Sequence, residues 1–152
     1  MQIGYMTIYD FELIRNDLVE KFDEFWNSNI LKQELLNNNT KYIICKEEDE
    51  VLGFAGILIN VDDIEIMNIV VRKDKRGQNI GKLLLEYLIK ISKELNIKNM
   101  TLEVNEKNIP AIKLYEKFNF KTVGLRKKYY NNQDNALIMS LELFWLKNTV
   151  IF

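Results

Sequence analysis

The chain has 152 residues, 47% hydrophobic and 28% charged, which is ordinary globular composition and excludes a disordered tail protein or a collagenous rod. Twenty-one Lys+Arg against 22 Asp+Glu leave a formal charge of -1, without the basic excess of a protein that coats nucleic acid, so no nucleic-acid partner is expected. One cysteine allows no internal disulfide, and the absence of histidine removes Ser-His-Asp and Cys-His catalysis and any His-ligated metal, so no metal is expected.

No run approaches the roughly 20 apolar residues that span a bilayer, and the opening MQIGYMTIYDFEL reaches charge too soon for a signal-peptide core. A cytoplasmic protein of a reducing compartment, with no membrane partner, is the expectation. Pro110 is the single proline and there is no linker or repeat, so residues 1–152 read as one domain.

Residues 10–27 carry Ile14, Leu18, Phe22 and Phe25 at helical spacing, and a short second helix is expected near residues 30–36 before Asn37, Asn38 and Asn39 break the pattern. Residues 41–46 and 51–61 read as a hairpin around the charged turn 47–50, whose carboxylates are more simply a solvated turn than a metal site. Cys45 reads as packing in the first of these strands. Residues 64–71 form a third strand, β-branched and apolar enough to lie deep in a sheet.

A basic loop follows, then a helix with Ile80, Leu84, Tyr87, Leu88, Ile91 and Leu95 on one face and Lys82, Glu86, Lys90 and Glu94 on the other. Residues 100–105 are a strand. Asn108 and Pro110 open a further helix that closes near Asn119. Residues 120–129 and 136–144 form a last hairpin around an Asn-rich turn. The order gives an α/β chain with a mixed sheet of about six to seven strands and helices on both faces; a strictly alternating Rossmann pattern does not fit.

The junction at residues 71–81 is the most informative stretch. Unpaired N–H groups at a helix start, preceded by αL-tolerant Gly77, Asn79 and Gly81 and surrounded by Arg72, Lys73, Lys75 and Arg76, suit a phosphate. A solvated basic turn is the plain alternative. The loop is neither a Walker A nor a G-x-G-x-x-G fingerprint.

Arg76-Gly77-Gln78-Asn79-Ile80-Gly81 resembles the Q/R-x-x-G-x-G/A acetyl-CoA pyrophosphate motif of the GNAT N-acetyltransferases, with Asn79 where the family has glycine. The resemblance runs from Ile64 to about Leu143 and is nearest the RimI-like ribosomal-protein-alanine N-acetyltransferases. It is carried by Leu102-Glu103-Val104, Asn108, Ala111-Ile112, Leu114-Tyr115-Glu116 and Phe120, then by Arg126 with Tyr129-Tyr130 and by Ala136-Leu137-Ile138-Met139. The first 60 residues match mainly in element order, apart from Trp26.

The resemblance implies acetyl-CoA as co-substrate, direct attack of a primary amine, and a role for each of several residues. The N–H groups from Gly77 through Gln78, Asn79, Ile80 and Gly81 to Lys82 would hold the pyrophosphate, with Arg76 and the Asn108 side chain assisting. Backbone N–H groups of Ile69, Val70 and Val71 would polarise the thioester on a strand that splays from its neighbour. Glu103 shares a strand face with Thr101 and Asn105 and would be the general base. Tyr115, seven residues after Asn108 on nearly the same helix face, would be the acid, and its reference pKa of ~10 suits protonation of a thiolate. Tyr129 and Tyr130 would wall the acceptor groove. The acceptor most expected is a protein N-terminal α-amine, and the resemblance implies that of a ribosomal protein; a small amine, or a non-catalytic acyl-CoA-binding module, are the other classes. Monomer and homodimer both stay open, as does the role of the apolar segment 144–152.

Overall fold

The computed structural model describes residues 1–22, 27–130 and 133–143, with the backbone but not the side chains of Tyr129 and Tyr130; Phe25, Trp26 and the segment 144–152 lie outside the described residues. The elements are β1 (Gln2–Tyr5), α1 (Ile8–Ile14), α2 (Ser28–Leu36), β2 (Thr40–Glu47), β3 (Glu50–Ile59), β4 (Asp63–Val71), α3 (Ile80–Glu94), β5 (Asn99–Asn105), α4 (Ile109–Lys117), β6 (Lys121–Tyr130) and β7 (Asp134–Glu142). The strands form a seven-stranded mixed sheet in the order β1-β2-β3-β4-β5-β7-β6. The α/β class and the strand count agree with the sequence reading. The chain divides into two compact units, one made of Met1–Ile59 and Met67–Ile91, the other of Asn60–Ile66 and the residues from Ser92 onward.

The first unit departs from the expected pattern twice. Gln2–Tyr5 forms a short strand, paired antiparallel with β2 from Gln2↔Lys46 to Tyr5↔Ile43, where no strand was expected. Four residues containing a glycine carry too little alternation to be read as a strand. The single helix expected over residues 10–27 is also broken. Asp17 N–H turns back to Ile14 O at 2.8 Å, and Leu18–Phe22 form a π-helical turn. The looser turn still delivers Leu18 and Phe22, 1% and 2% exposed, to the core.

Helix α1 starts earlier than expected because Thr7 caps it. Thr7 Oγ1 accepts the Asp10 N–H at 3.2 Å, and the Asp10 carboxylate accepts the Thr7 N–H at 2.8 Å, a reciprocal capping box. Asp10 is buried and meets Lys46 Nζ at 2.8 Å. Burial alone would raise its pKa, but the hydrogen bonds from Lys46 and Thr7 outweigh that and hold the carboxyl below its ordinary value. The same hydrogen bond holds Lys46 above its own.

Strand β3 shows how helices come to lie on both faces within this unit. A Cβ on Gly53 would meet Ile80 and Leu84 of α3 at 3.2 Å and Val70 O at 2.8 Å, so glycine admits a close approach on that face. The next residue, Phe54, points the other way. Its ring joins the core built from Phe11, Ile14 and Leu18, and lies 5.7 Å from Phe22 and 6.4 Å from Tyr42. Gly56 leaves room for the Tyr42 ring, which a Cβ would overlap at 2.4 Å. Tyr42 Oη accepts a hydrogen bond from Asn68 Nδ2 at 3.1 Å, and burial pushes the phenol up to about 12. Cys45 is buried and burial raises its thiol, which makes it the inert packing residue expected of it.

In the second unit, β4 contributes Asp63–Ile66, paired in parallel with Asn99–Leu102 of β5; the register contains these four pairs. Met67–Val71 belong to the first unit and carry no β5 pairing. Strand β5 is antiparallel to β7 from Asn99↔Glu142 to Asn105↔Ala136. Met100, Leu102 and Val104 are buried while Thr101, Glu103 and Asn105 stay partly open, the two-residue alternation read from the sequence. Helix α4 ends in a Schellman motif: Phe120 N–H reaches Tyr115 O at 3.1 Å and Asn119 N–H reaches Glu116 O at 3.0 Å, with Asn119 at φ +70°. Asn96, at φ +60°, marks the end of α3 in the same left-handed region. Leu95, expected on the buried face of α3, is 44% exposed.

Candidate active site

The junction after β4 lies in the first unit. Gly77 has φ +81° and Asn79 φ +65°, so the departure from the family's glycine leaves the left-handed turn intact. Among the described residues, no atom beyond its chain neighbours stands within 4 Å of the position a Gly77 Cβ would take. The α3 ladder begins with Leu83 N–H to Asn79 O at 3.1 Å. The N–H groups of Ile80, Gly81 and Lys82 therefore precede it, as at any helix start. Ile80 is 1% exposed and anchors this start in the core, while Gln78, Asn79 and Lys82 are exposed. Open left-handed backbone followed by unladdered N–H groups fits a pyrophosphate.

The basic side chains behave otherwise than expected. Arg72 Nη1 lies 3.1 Å from Glu50 Oε1 and its Nε 2.8 Å from Asp74 Oδ1; Lys75 Nζ lies 3.8 Å from Glu50. Arg76 stays exposed and donates to Val71 O at 3.3 Å and to Phe22 O at 3.2 Å. Much of the expected positive charge is thus already matched by carboxylates, and Arg76 staples the loop to the π-helical turn. The anion-attracting part of the junction is chiefly its backbone. Ahead of the loop, Val70 is buried and Ile69 and Val71 are partly buried on β4. A cleft of about 390 Å³ in this unit, between Ile14, Phe22, Val51 and Arg72, shares only Arg72 with the residues expected to form the site.

The second unit holds the remaining candidates. Glu103 lies in the middle of β5, its side chain 21% exposed, with Oε1 2.7 Å from Arg126 Nη2. The registers Glu103↔Ile138 and Gly124↔Ile138, and Asn105↔Ala136 and Arg126↔Ala136, put these residues on one face of the β5-β7-β6 sheet. Gly124 and Ala136 keep that face shallow around the carboxylate. Asn108 caps α4, its Oδ1 accepting the Ala111 N–H at 3.3 Å. The cap leaves its amide nitrogen, with two donor hydrogens, uncommitted to the helix. Tyr115 is partly buried and stacks edge-on against Phe120 at 5.7 Å. Tyr129 and Tyr130 end β6, where Tyr130 pairs with Asp134; the expected aromatic wall rests on side chains outside the described residues.

Sequence reasoning missed the partner of Glu103. Arg126 was legible as part of a motif, but its 23-residue separation from Glu103 closes only when the β5-β7-β6 register is known. It also missed a polar cluster beside it. Asn135 Oδ1 accepts the Lys128 N–H at 2.9 Å, and its Nδ2 donates to Glu106 at 3.2 Å. Asp134 takes Lys107 Nζ at 2.7 Å and Asn105 Nδ2 at 3.1 Å, and these hold its carboxyl below the ordinary value.

The chain belongs to the acetyltransferase (GNAT) family, whose model matches residues 6–120. It is an N-acetyltransferase. A Bacillus subtilis (strain 168) protein provisionally named as a ribosomal protein bS18-alanine N-acetyltransferase is 33% identical over 88% of this chain and 90% of its own length. The Haemophilus influenzae ribosomal protein bS18-alanine N-acetyltransferase is 35% identical over 78% of this chain and 82% of its own. The crystal structure of the Escherichia coli ribosomal-protein-S18-alanine N-acetyltransferase superposes with a TM-score of 0.84 at 24% identity, covering 93% of each chain. An aminoglycoside 6'-N-acetyltransferase solved with coenzyme A shares the fold at a TM-score of 0.74 and 19% identity. No helix among the described residues is long and apolar enough to cross a membrane.

Proposed function

We propose that this protein is an acetyl-CoA-dependent transferase acting on the N-terminal α-amine of a protein, with an alanine-starting ribosomal protein as the acceptor. The observation that carries the proposal is the sequence identity of 33% and 35% to relatives named for that acceptor, over most of each chain. The family match crosses both compact units, which supports reading them as one domain. Chemistry agrees: a protein α-amine titrates near 8, against about 10.4 for lysine, so a carboxylate base frees it more easily at neutral pH.

Bound acetyl-CoA supplies an acetyl thioester whose C–S bond is exchanged for a C–N bond to the amine. The N–H groups of residues 77–82 hold the pyrophosphate, and Asn108 contributes its amide nitrogen. The N–H groups of Ile69, Val70 and Val71 polarise the carbonyl; support comes from Ile69 and Val71, whose N–H groups face away from β3, since Arg72 N–H, on the side of Val70, is bound to Leu52 O at 2.8 Å. Glu103 takes the proton released by the amine, directly or through water, and Tyr115 gives its phenolic proton to the departing sulfur. Tyr129 and Tyr130 wall the acceptor groove.

The test offers acetyl-CoA with an alanine-starting ribosomal peptide, an N-blocked lysine peptide and a pool of small amines, read by mass spectrometry. Acetyl on the free α-amine alone is expected. Acetyl only on a small amine would overturn the acceptor and keep the chemistry.

A further inference from the structure

The pairing of Glu103 with Arg126 has no evident purpose in stability. Arg126 is 54% exposed and Glu103 21%, and a pair so open to solvent contributes at most about 1 kcal/mol. Yet the sheet is arranged to make the contact. Arg126 and Asn105 both face Ala136 across their ladders, so the arginine side chain spans β7 where that strand presents only a methyl group. Gly124, one row away opposite Ile138, adds no side chain on this face beside Glu103.

The backbone carrying Arg126 is held by its pairing with β7 and by the bulge that follows it. Arg126 is the last residue of β6 in register before an irregularity, since the next pair is Tyr130↔Asp134. Four β6 positions therefore span what two β7 positions span. Within that bulge Lys128 takes φ +51°, and its N–H is bound by Asn135 Oδ1, itself tied to Glu106 just beyond β5. A bulge re-aims the side chains next to it, and this one is anchored to the strand that bears Glu103.

We infer that Arg126 is a positioning residue for the reaction, fixing the Glu103 carboxylate in the orientation from which it accepts the acceptor's proton. The inference rests on the reading of Glu103 as the base. A carboxylate on a partly open face otherwise samples several rotamers, and productive proton transfer needs it within hydrogen-bond reach of the amine or its bridging water. A forked guanidinium at 2.7 Å restricts that sampling, and it does so on the atom itself rather than through the core.

The experiment measures kcat, the KM for acetyl-CoA and the thermal midpoint for the full chain, Arg126→Met, Arg126→Lys and Glu103→Gln, with an alanine-starting peptide as acceptor. Arg126→Met is expected to lower kcat roughly tenfold, leave the KM for acetyl-CoA within about twofold, and leave the midpoint within about 4 °C. Arg126→Lys keeps the charge without the fork and is expected to regain part of the loss. An unchanged kcat in Arg126→Met overturns the inference, as does a loss that lysine does not recover at all. A Glu103→Gln variant with near wild-type kcat overturns the reading of the base itself, a failure distinct from the first.

Discussion

The loop before α3 and the β5-β7-β6 face present their candidate groups in different materials. At the loop before α3, the ligand-directed groups are backbone N–H donors presented by left-handed residues, and the neighbouring cations Arg72 and Lys75 are matched by Glu50. On the β5-β7-β6 face, the candidate groups are side chains, Glu103 with Arg126 beside it, set on strands whose registers leave little freedom. A set of backbone dipoles tolerates any residue that keeps the turn, and Asn79, at φ +65° where the family motif has glycine, keeps it. A site of side chains tolerates far less, because each atom is supplied once.

The sharpest way to break that contrast is Glu103→Gln. It removes the charge while keeping the shape, and it is expected to lower kcat about a hundredfold or more with acetyl-CoA affinity retained, as measured by steady-state kinetics beside calorimetric binding. Equal losses in binding would mean the two regions are not separable in this way.

A smaller effect is expected at Asp10, where a charged side chain serves the fold and not the chemistry. Asp10→Asn should cost about 2 kcal/mol of stability at pH 7, read by urea unfolding. The folded carboxyl lies below its ordinary 3.8, so its contribution is present above that value and lost as pH falls through the lower folded one. The Lys46 side of the pair, raised above 10.5, contributes below that value and loses its contribution as pH climbs through the folded one. Wild type and variant should therefore converge in strong acid; a gap that persists there would assign the loss to packing.

The mildest expectation concerns Asn79. Asn79→Ala forces a β-carbon-bearing residue without asparagine's local hydrogen bonding into φ +65°, at a cost of about 1 kcal/mol, and should raise the KM for acetyl-CoA several-fold. Asn79→Gly should leave that KM within about twofold. If glycine tightened binding markedly, the asparagine side chain would be crowding the pyrophosphate, and the tolerance claimed for the backbone half would be narrower.

Most of the fold was legible because its signals are local. The apolar stripe of α3, the alternation of β5 and the Asn108 cap depend on neighbours in sequence, and each element lies within a few residues of its expected place. Asn79 and Asn119 as left-handed positions were likewise readable from residue type. What escaped was set by partners elsewhere. Strand β1 exists through its pairing with β2, and the first helix ends early because a π-helical turn brings Leu18 and Phe22 inward. The loop's basic residues looked available only while Glu50 and the Phe22 carbonyl were unseen. Glu103 was found from its strand face, but Arg126 as its partner depends on two successive antiparallel registers. Tyr129 and Tyr130 were named from their motif, and their side chains lie outside the described residues.

The asparagines at φ +65°, +60° and +70° also bear on the disordered chain. Glycine there would relieve the native backbone, yet it would give the unfolded polymer more conformations to surrender at three separate points. Asparagine reaches the same left-handed well with a side chain that restricts the coil. The start and end of α3 and the end of α4 are thus marked by residues that narrow the ensemble from which folding begins, so part of the definition of these helices is already present before any tertiary contact forms.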